Sequence, residues 1–470
     1  MVEVERVEHP RFGGGILVRT FANGTEWEVR FDSGRRFRLP AREFKDGYAP
    51  LVSVSGPPRL AAPVPAPAPR DTVQFQARHA VEVLRMGTVP VREIEAFTVG
   101  LRPQIEALDS ALESAAKSSG EVQAILGDYG YGKSHFIELA AQRALKANFV
   151  VARVSLDLKE TPPNKPLEIY RALTASLQYL DSPSRGLEPL LNRAVEQSGA
   201  IEEFALLGRF ARCPLTLALR VLADPSNFYN RRDVARWVGG QIKKNALVNV
   251  AFKRTTLAPP PPLYANGENG RQYAYLVTAI SVLARLLGYS GLAVLVDESE
   301  HYSLLKPLQR QRADTFFRAL ICGALAGRSQ IEPGAVPLDY RAPDYPISFN
   351  HKPHLFFLFA LTYTDFGMPV HEWLAARQIV ELDERFSAQD VQRFLKHLME
   401  THNAAFGYSL TQERYQEIYT AAPELLLREL RRHRFNLRRM IQIAVYLCDL
   451  LYAYPDDPPG LVLDDLRRAW

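Results

Sequence analysis

Cysteine is scarce. Cys213, Cys322 and Cys448 are the only three in 470 residues, odd in number, far apart and without a C-x-x-C pair. That excludes a disulfide framework and a cysteine zinc site, and a reducing cytoplasm is the expected home. No apolar run approaches the length a spanning helix needs. The charged start Met1-Val2-Glu3-Val4-Glu5-Arg6 has no apolar core of signal-peptide length, so neither membrane insertion nor secretion is expected. One-sided charge is also missing: 57 basic against 52 acidic side chains leave a formal net charge of +5, which permits a polyanionic partner without demanding one. Nor is the chain poor in apolar residues, which make up 47% of it and exclude disorder. A chain of this length exceeds one ordinary core, so two or three domains are expected.

What is there centres on one stretch. Val122 to Leu126 reads as a buried strand, and Phe136 to Leu145 reads as a helix. Between them, Gly127-Asp128-Tyr129-Gly130-Tyr131-Gly132-Lys133-Ser134 fits G-x-x-x-x-G-K-[ST] in the strand-turn-helix context that a nucleotide phosphate loop requires, and His135 follows. Glycines let the backbone wrap closely round an anion, and the N–H groups opening the helix point at it along the positive end of the helix dipole. Lys133 would reach the β and γ phosphates of ATP, and Ser134 would place its hydroxyl on Mg²⁺.

A second stretch completes the chemistry. Leu292-Ala293-Val294-Leu295-Val296 is a run of β-formers ending in Asp297-Glu298, the pattern of a Walker B strand. Asp297 would serve Mg²⁺, and Glu298 would orient and polarise the attacking water. Glu300 and His301 read as polar residues opening a solvated helix. The phosphate-loop strand and this acidic strand are expected to be neighbours, with Mg²⁺-ATP where both end. A strand at Phe149 to Leu156 lies between them in sequence, as does a long helical insertion, about 166–289, so the plan is α/β with a parallel sheet.

Residues 302–327 read as a helix whose Lys306, Arg310, Arg312 and Arg318 form either a solvated face or an arginine finger. Leu355 to Tyr363 reads as another strand. From Asp383 the chain is helical: Ser387 caps one helix, Thr411 opens another, and Pro423 begins a third. Arg428, Arg431, Arg432, Arg434, Arg438 and Arg439 crowd one region, as a polyanion-binding patch or a solvated face.

At the other end, short strands broken at Asn23-Gly24 and Ser33-Gly34 suggest a small β-barrel over 1–50, with Arg30, Arg35, Arg36 and Arg38 on one face. Residues 51–72 follow, rich in proline and alanine, as an extended spacer. The expected core is then 73–382 and the lid 383–470.

Three resemblances add to this reading. His9-Pro10-Arg11-Phe12-Gly13-Gly14-Gly15 with Val29-Arg30-Phe31-Asp32-Ser33-Gly34 resembles the SH3-like or Tudor-like modules of UvrD-type helicases and CarD-type RNA polymerase interactors, which implies docking on protein or nucleic acid. Phe97-Thr98-Val99-Gly100-Leu101-Arg102 is similar to the turn that packs on adenine in AAA+ and STAND ATPases, so Val99 and Gly100 are adenine candidates, with an ordinary helix connection as the alternative. By the same likeness Thr362 or Thr364 takes the sensor-1 position. Asn436-Leu437-Arg438-Arg439 resembles the sensor-2 motif, with Leu437 where proline is usual, so either arginine is a candidate for the γ phosphate.

Together, Ala80 to Pro90, Phe97 to Gly100 and Gly127 to Phe136 resemble the BrxD-like P-loop ATP-binding proteins of bacterial BREX-type phage-defence loci. The resemblance implies an AAA+/STAND-like ATPase with a helical or winged-helix lid. It also implies work beside a helicase, a methyltransferase or other defence components, on DNA or as a homo-oligomer. The alternatives are a nucleotide-dependent scaffold with little turnover and a replication- or transposition-type DNA loader.

Overall fold

The computed structural model describes residues 6–21, 26–32, 36–40, 72–207, 210–263, 269–339, 345–347, 349, 351–364, 367–382, 387–432 and 437–469. The chain divides into two compact units, Met1–Ala68 and Pro69–Trp470. In the first, β1 (Arg6–His9), β2 (Gly13–Phe21), β3 (Glu26–Phe31) and β4 (Arg36–Pro40) form an antiparallel meander in that order. Among the described residues β1 and β4 do not pair, so the described part is an open sheet and not the expected closed barrel. Val7, Val29 and Phe31 make its core, and the rings of Phe12 and Phe37 stack over it at 4.9 Å. A Cβ on Gly15 would stand 2.7 Å from Val29, so the β2–β3 crossing requires glycine there. Arg30, Arg36 and Arg38 are exposed as expected, but Arg38 is paired with Glu26 at 2.5 Å. The expected turns at Asn23-Gly24 and Ser33-Gly34, Arg35, and the spacer up to residue 71 lie outside the described residues.

The second unit is built on a parallel sheet. Its strands are β5 (Glu121–Leu126), β6 (Val150–Ser155), β7 (Leu292–Asp297), β8 (Leu355–Leu361) and β9 (Ile379–Glu381), in the order β6-β7-β8-β5-β9. All four pairings are parallel. Side chains alternate between faces, so the sheet needs two apolar covers. Leu355, Phe357, Phe359 and Leu361 of β8 join one core cluster, while Phe356, Leu358 and Ala360 join another.

The second cluster is closed by α3 (Arg102–Lys117) and α4 (Lys133–Lys146). The first carries the insertion: α5 (Pro166–Ser176), α6 (Glu188–Glu196), α7 (Ala200–Leu206), α8 (Pro214–Ala223), α9 (Arg231–Val238), α10 (Ala246–Thr256) and α11 (Gly270–Leu286). Helix α11 is buried over most of its surface, between the sheet and α12 (Pro307–Leu325).

Two corrections concern the sheet. The phosphate-loop strand β5 and the acidic strand β7 are not neighbours, because β8 lies between them and pairs with both. Strand order is a long-range property, and β8 takes the central place because all seven of its residues suit burial on both faces. The edge strand β9, three residues long, was not expected. The expected helix 302–327 begins only at Pro307, which opens α12, and Ser299–Leu304 form a 3₁₀ turn before it.

The third layer joins both ends of the unit. Helices α14 (Ala388–Phe406), α15 (Gln412–Arg432), α16 (Leu437–Ala453) and α17 (Pro459–Ala469) follow the short α13 (Val370–Trp373). Between 387 and 432 and between 437 and 469 there is no strand, so the described residues of the expected lid are helical and not winged. Ser387 caps α14 as expected, accepting from the Asp390 N–H at 3.2 Å. Pro423 does not begin a helix but sits inside α15; the Tyr419 carbonyl that it leaves without a backbone donor accepts from Gln392 Nε2 at 3.4 Å.

Helix α1 (Val73–Arg85), at the start of the unit, belongs to this layer rather than to the sheet. Its Ala77, Val81 and Leu84 pack in one cluster with Phe394, Leu398 and Ile443, and Phe97 of α2 (Ile94–Phe97) joins them. Arg78 Nε caps the end of α14 on the Ala405 carbonyl at 2.8 Å. Arg85 reaches Asp449 at 2.7 Å, and His402 holds the same carboxylate at 3.0 Å. Burial raises the pKa of Asp449, but those two partners win and hold it below the usual carboxylate value.

The three cysteines are buried and free, and no described helix is long and apolar enough to cross a membrane.

The start of β7 depends on Gly291, whose φ is +135° and whose absent Cβ would overlap the His354 carbonyl oxygen. That carbonyl also accepts from Ser281 Oγ at 2.9 Å, so it is not free to withdraw. Gly291→Ala is therefore expected to destabilise the protein by about 3 kcal/mol, read as a lowered melting temperature. An unchanged melting temperature would contradict this account of the β7 entry.

Candidate functional site

The site begins where β5 ends. Gly130 and Gly132 take φ values of 91° and 89°, left-handed conformations that let the chain double back before α4. Gly132 is the N-cap of α4 and offers no side-chain acceptor, so the first N–H groups of that helix have no side-chain cap. The Lys133 ammonium is buried beneath the loop, donating to the carbonyls of Gly127 at 3.0 Å and Asp128 at 3.1 Å. Among the described residues no carboxylate pairs with it. Burial lowers its pKa, opposed by the charges of Glu300, Asp297 and Asp128, in that order. An uncapped helix start beside a buried, unpaired cation is a site short of an anion.

The acids of β7 arrive across β8. Asp297 closes the strand and is half-buried. Glu298 has a left-handed backbone with φ 55°, is exposed, and turns its carboxylate to His301 at 3.4 Å. Glu300, read from the sequence as a solvated residue, is half-buried. Its Oε1 accepts from Thr362 Oγ1 at 3.0 Å, and its Oε2 is buried without a partner. The tight turn from 299 to 304 explains the difference, since a period near three carries Glu300 back to the side of Asp297. The signal was present in the spacing of Asp297 and Glu300, but nothing in the sequence marked the turn as 3₁₀.

These groups line one cleft of about 470 Å³, within the range of small-molecule sites. Its floor holds Tyr129 to His135, with Asp297, Glu298 and Glu300 at the side. Its wall is apolar and comes from the helical layer: Val89, Phe97, Val99, Phe394, Met440 and Ile441. Of the expected residues, Val99 and Arg438 line the cleft; Gly100, Arg439, Gly127 and Asp128 do not, and Thr362 bonds to Glu300, which does. Thr364 is exposed beyond the strand end. Arg438, in the first turn of α16, lies against Gly87, where an added Cβ would overlap its side chain. Arg434 and Asn436 lie outside the described residues. Arg310, Arg312 and Arg318 of the arginine-finger candidates do not line the cleft.

Residues 74–202 match the family described as BREX system ATP-binding protein BrxC/D. Over those residues the chain is BrxC/D-like. No curated protein matches it. The matched span runs from α1 through the glycine loop before α4 to α7, and so takes in the cleft floor and part of its wall but neither the β7 acids nor α16.

Within that span His135 ties floor to wall. Thr98 Oγ1 gives its proton to the Ile94 carbonyl at 2.6 Å, so its contact with His135 Nε2 at 2.7 Å is donated by the imidazole. Burial pushes the His135 pKa down to about 4, which keeps the ring neutral. A depressed pKa means that the folded state binds fewer protons. The stability contributed is whole above the unfolded value of 6.5 and lost as the pH falls toward 4. In His135→Gln the unfolding free energy is accordingly expected to fall less between pH 7 and pH 4.5 than in the unmodified protein, by about 2 to 3 kcal/mol. Equal acid sensitivity of the two proteins would contradict it.

Proposed function

We propose that this BrxC/D-like protein binds ATP with Mg²⁺ in the cleft and hydrolyses it, within a BREX-type defence assembly in the cytoplasm. One observation carries the reading: an uncapped helix start, a buried unpaired lysine and the acids of a second strand meet at a single cleft with an apolar wall. In this reading the first N–H groups of α4 and Lys133 hold the β and γ phosphates, and the base lies against the apolar wall at Val99. Ser134 and Asp297 would hold the Mg²⁺. The described residues contain no cluster of three or more His, Cys, Asp or Glu able to hold a metal unaided, which suits an ion carried largely by water and phosphate. The bound ion would neutralise charge on the transferred phosphoryl group.

Arg438, brought to the cleft by α16, would sense the γ phosphate from the helical layer, and one of the acids that follow β7 would orient the attacking water. Because the wall is shared between the segment after α1, α2, α14 and α16, nucleotide state would reach the helical layer and, through it, partners. Those partners would be DNA, a helicase or a methyltransferase, or further copies of the chain. Arg431 and Arg432 are exposed, Arg432 with Glu429 at 3.8 Å, and would meet a polyanion, and the N-terminal sheet would serve recruitment. A switch with little turnover is the second reading, favoured by the exposure of Glu298 and its turn toward His301.

The test is ATP affinity and phosphate release, measured with and without duplex DNA. Lys133→Ala is expected to weaken ATP binding by at least about 100-fold, the loss of a buried charge-assisted contact worth about 3 kcal/mol. Retention of affinity within threefold would contradict phosphate binding at this loop.

A further inference from the structure

The two glutamates after β7 are not equivalent, and the structure separates them. We propose that Glu300, rather than Glu298, is the carboxylate that orients the attacking water and takes its proton; this rests on the hydrolysis reading above. Three observations converge on it. Glu300 has one oxygen fixed by Thr362 Oγ1 at 3.0 Å and the other buried, unpartnered and on a side chain that lines the cleft. Its charge stands ahead of that of Asp297 among those that oppose the lowered pKa of Lys133, the cation expected to hold the γ phosphate. Glu298 also lines the cleft, but it is exposed, left-handed in backbone and directed at His301.

The chemistry follows from that placement. A water oxygen forms a bond to the γ phosphorus as the bond to the β–γ bridging oxygen breaks, and that oxygen leaves with the electron pair on ADP. The proton that the water sheds passes to the free oxygen of Glu300 and from there to phosphate or solvent, so the sum is ATP and water giving ADP, phosphate and a proton. A carboxylate with one oxygen pinned and the other unpartnered is oriented for this before any ligand arrives. Thr362 is then a positioning residue. It stands at the end of β8, the strand between the phosphate-loop strand and the acidic strand, and so sets the acid relative to both.

The experiment measures Mg²⁺-ATP affinity and kcat on the full chain for Glu300→Gln, Glu298→Gln, Thr362→Val and Thr362→Ser. Glu300→Gln is expected to lower kcat by about 100-fold or more with ATP affinity held within about threefold, and Glu298→Gln to stay within about fivefold of the unmodified protein. Thr362→Val should lower kcat by about tenfold, and Thr362→Ser, which restores the hydroxyl, should recover it. Loss confined to Glu298→Gln, equal loss in both variants, or loss of ATP affinity in Glu300→Gln would each overturn the assignment. Absence of turnover in the unmodified protein, with ATP bound, would instead overturn the hydrolysis reading and this assignment with it.

Discussion

A buried ammonium without a carboxylate partner is the constraint on which the rest depends. Lys133 is desolvated at the start of α4 and, among the described residues, satisfied by two loop carbonyls, while the N–H groups above it have no side-chain cap. Such an arrangement is costly unless a negative group arrives. The fold supports the cost from below: β5 is buried throughout and bonded on both sides, to β8 and β9, so the loop springs from the rigid interior of the sheet. The acids that would share the cation are kept at a distance by the width of β8, acting through space instead of closing an ion pair.

The second feature is that the cleft is not a property of the sheet alone. Its wall comes from a helical layer assembled from both ends of the unit, α1 from one and α14 and α16 from the other. Phe97 meets Phe394 edge-on at 5.8 Å, Gly87 leaves room for Arg438, and Thr98 receives the hydrogen bond of His135. A ligand filling the cleft would touch the loop and this layer at once. Occupancy would thereby become a statement about the position of the lid relative to the sheet, which is the physical content of a nucleotide switch.

Much of the floor was legible in the sequence because its determinants are local. Glycines at left-handed positions, a lysine and serine at fixed spacing, and a strand and helix on either side are all written between Glu121 and Lys146. The acidic strand was legible for the same reason. What was not legible is set by contacts distant in sequence. That β8 separates β5 from β7 follows from its suitability for the centre of the sheet, not from any motif. The placement of α1 in the helical layer depends on an apolar stripe whose partner lies some three hundred residues further on, at Phe394 to Ile443. Pro423 was misread because its cost is met by a side chain on another helix. Glu300 was passed over because a 3₁₀ turn, not a regular helix, follows the strand.

The central claim is that an anionic nucleotide occupies the cleft and is held by the loop and the lid together. Backbone hydrogen exchange of the full chain, with and without Mg²⁺ and a non-hydrolysable ATP analogue, tests it most directly. The account predicts slowed exchange in the segments from Gly127 to Phe136, from Gly87 to Val99 and from Leu437 to Ile441. Protection elsewhere with none at the loop, or at the loop with none in the two helical segments, would contradict it.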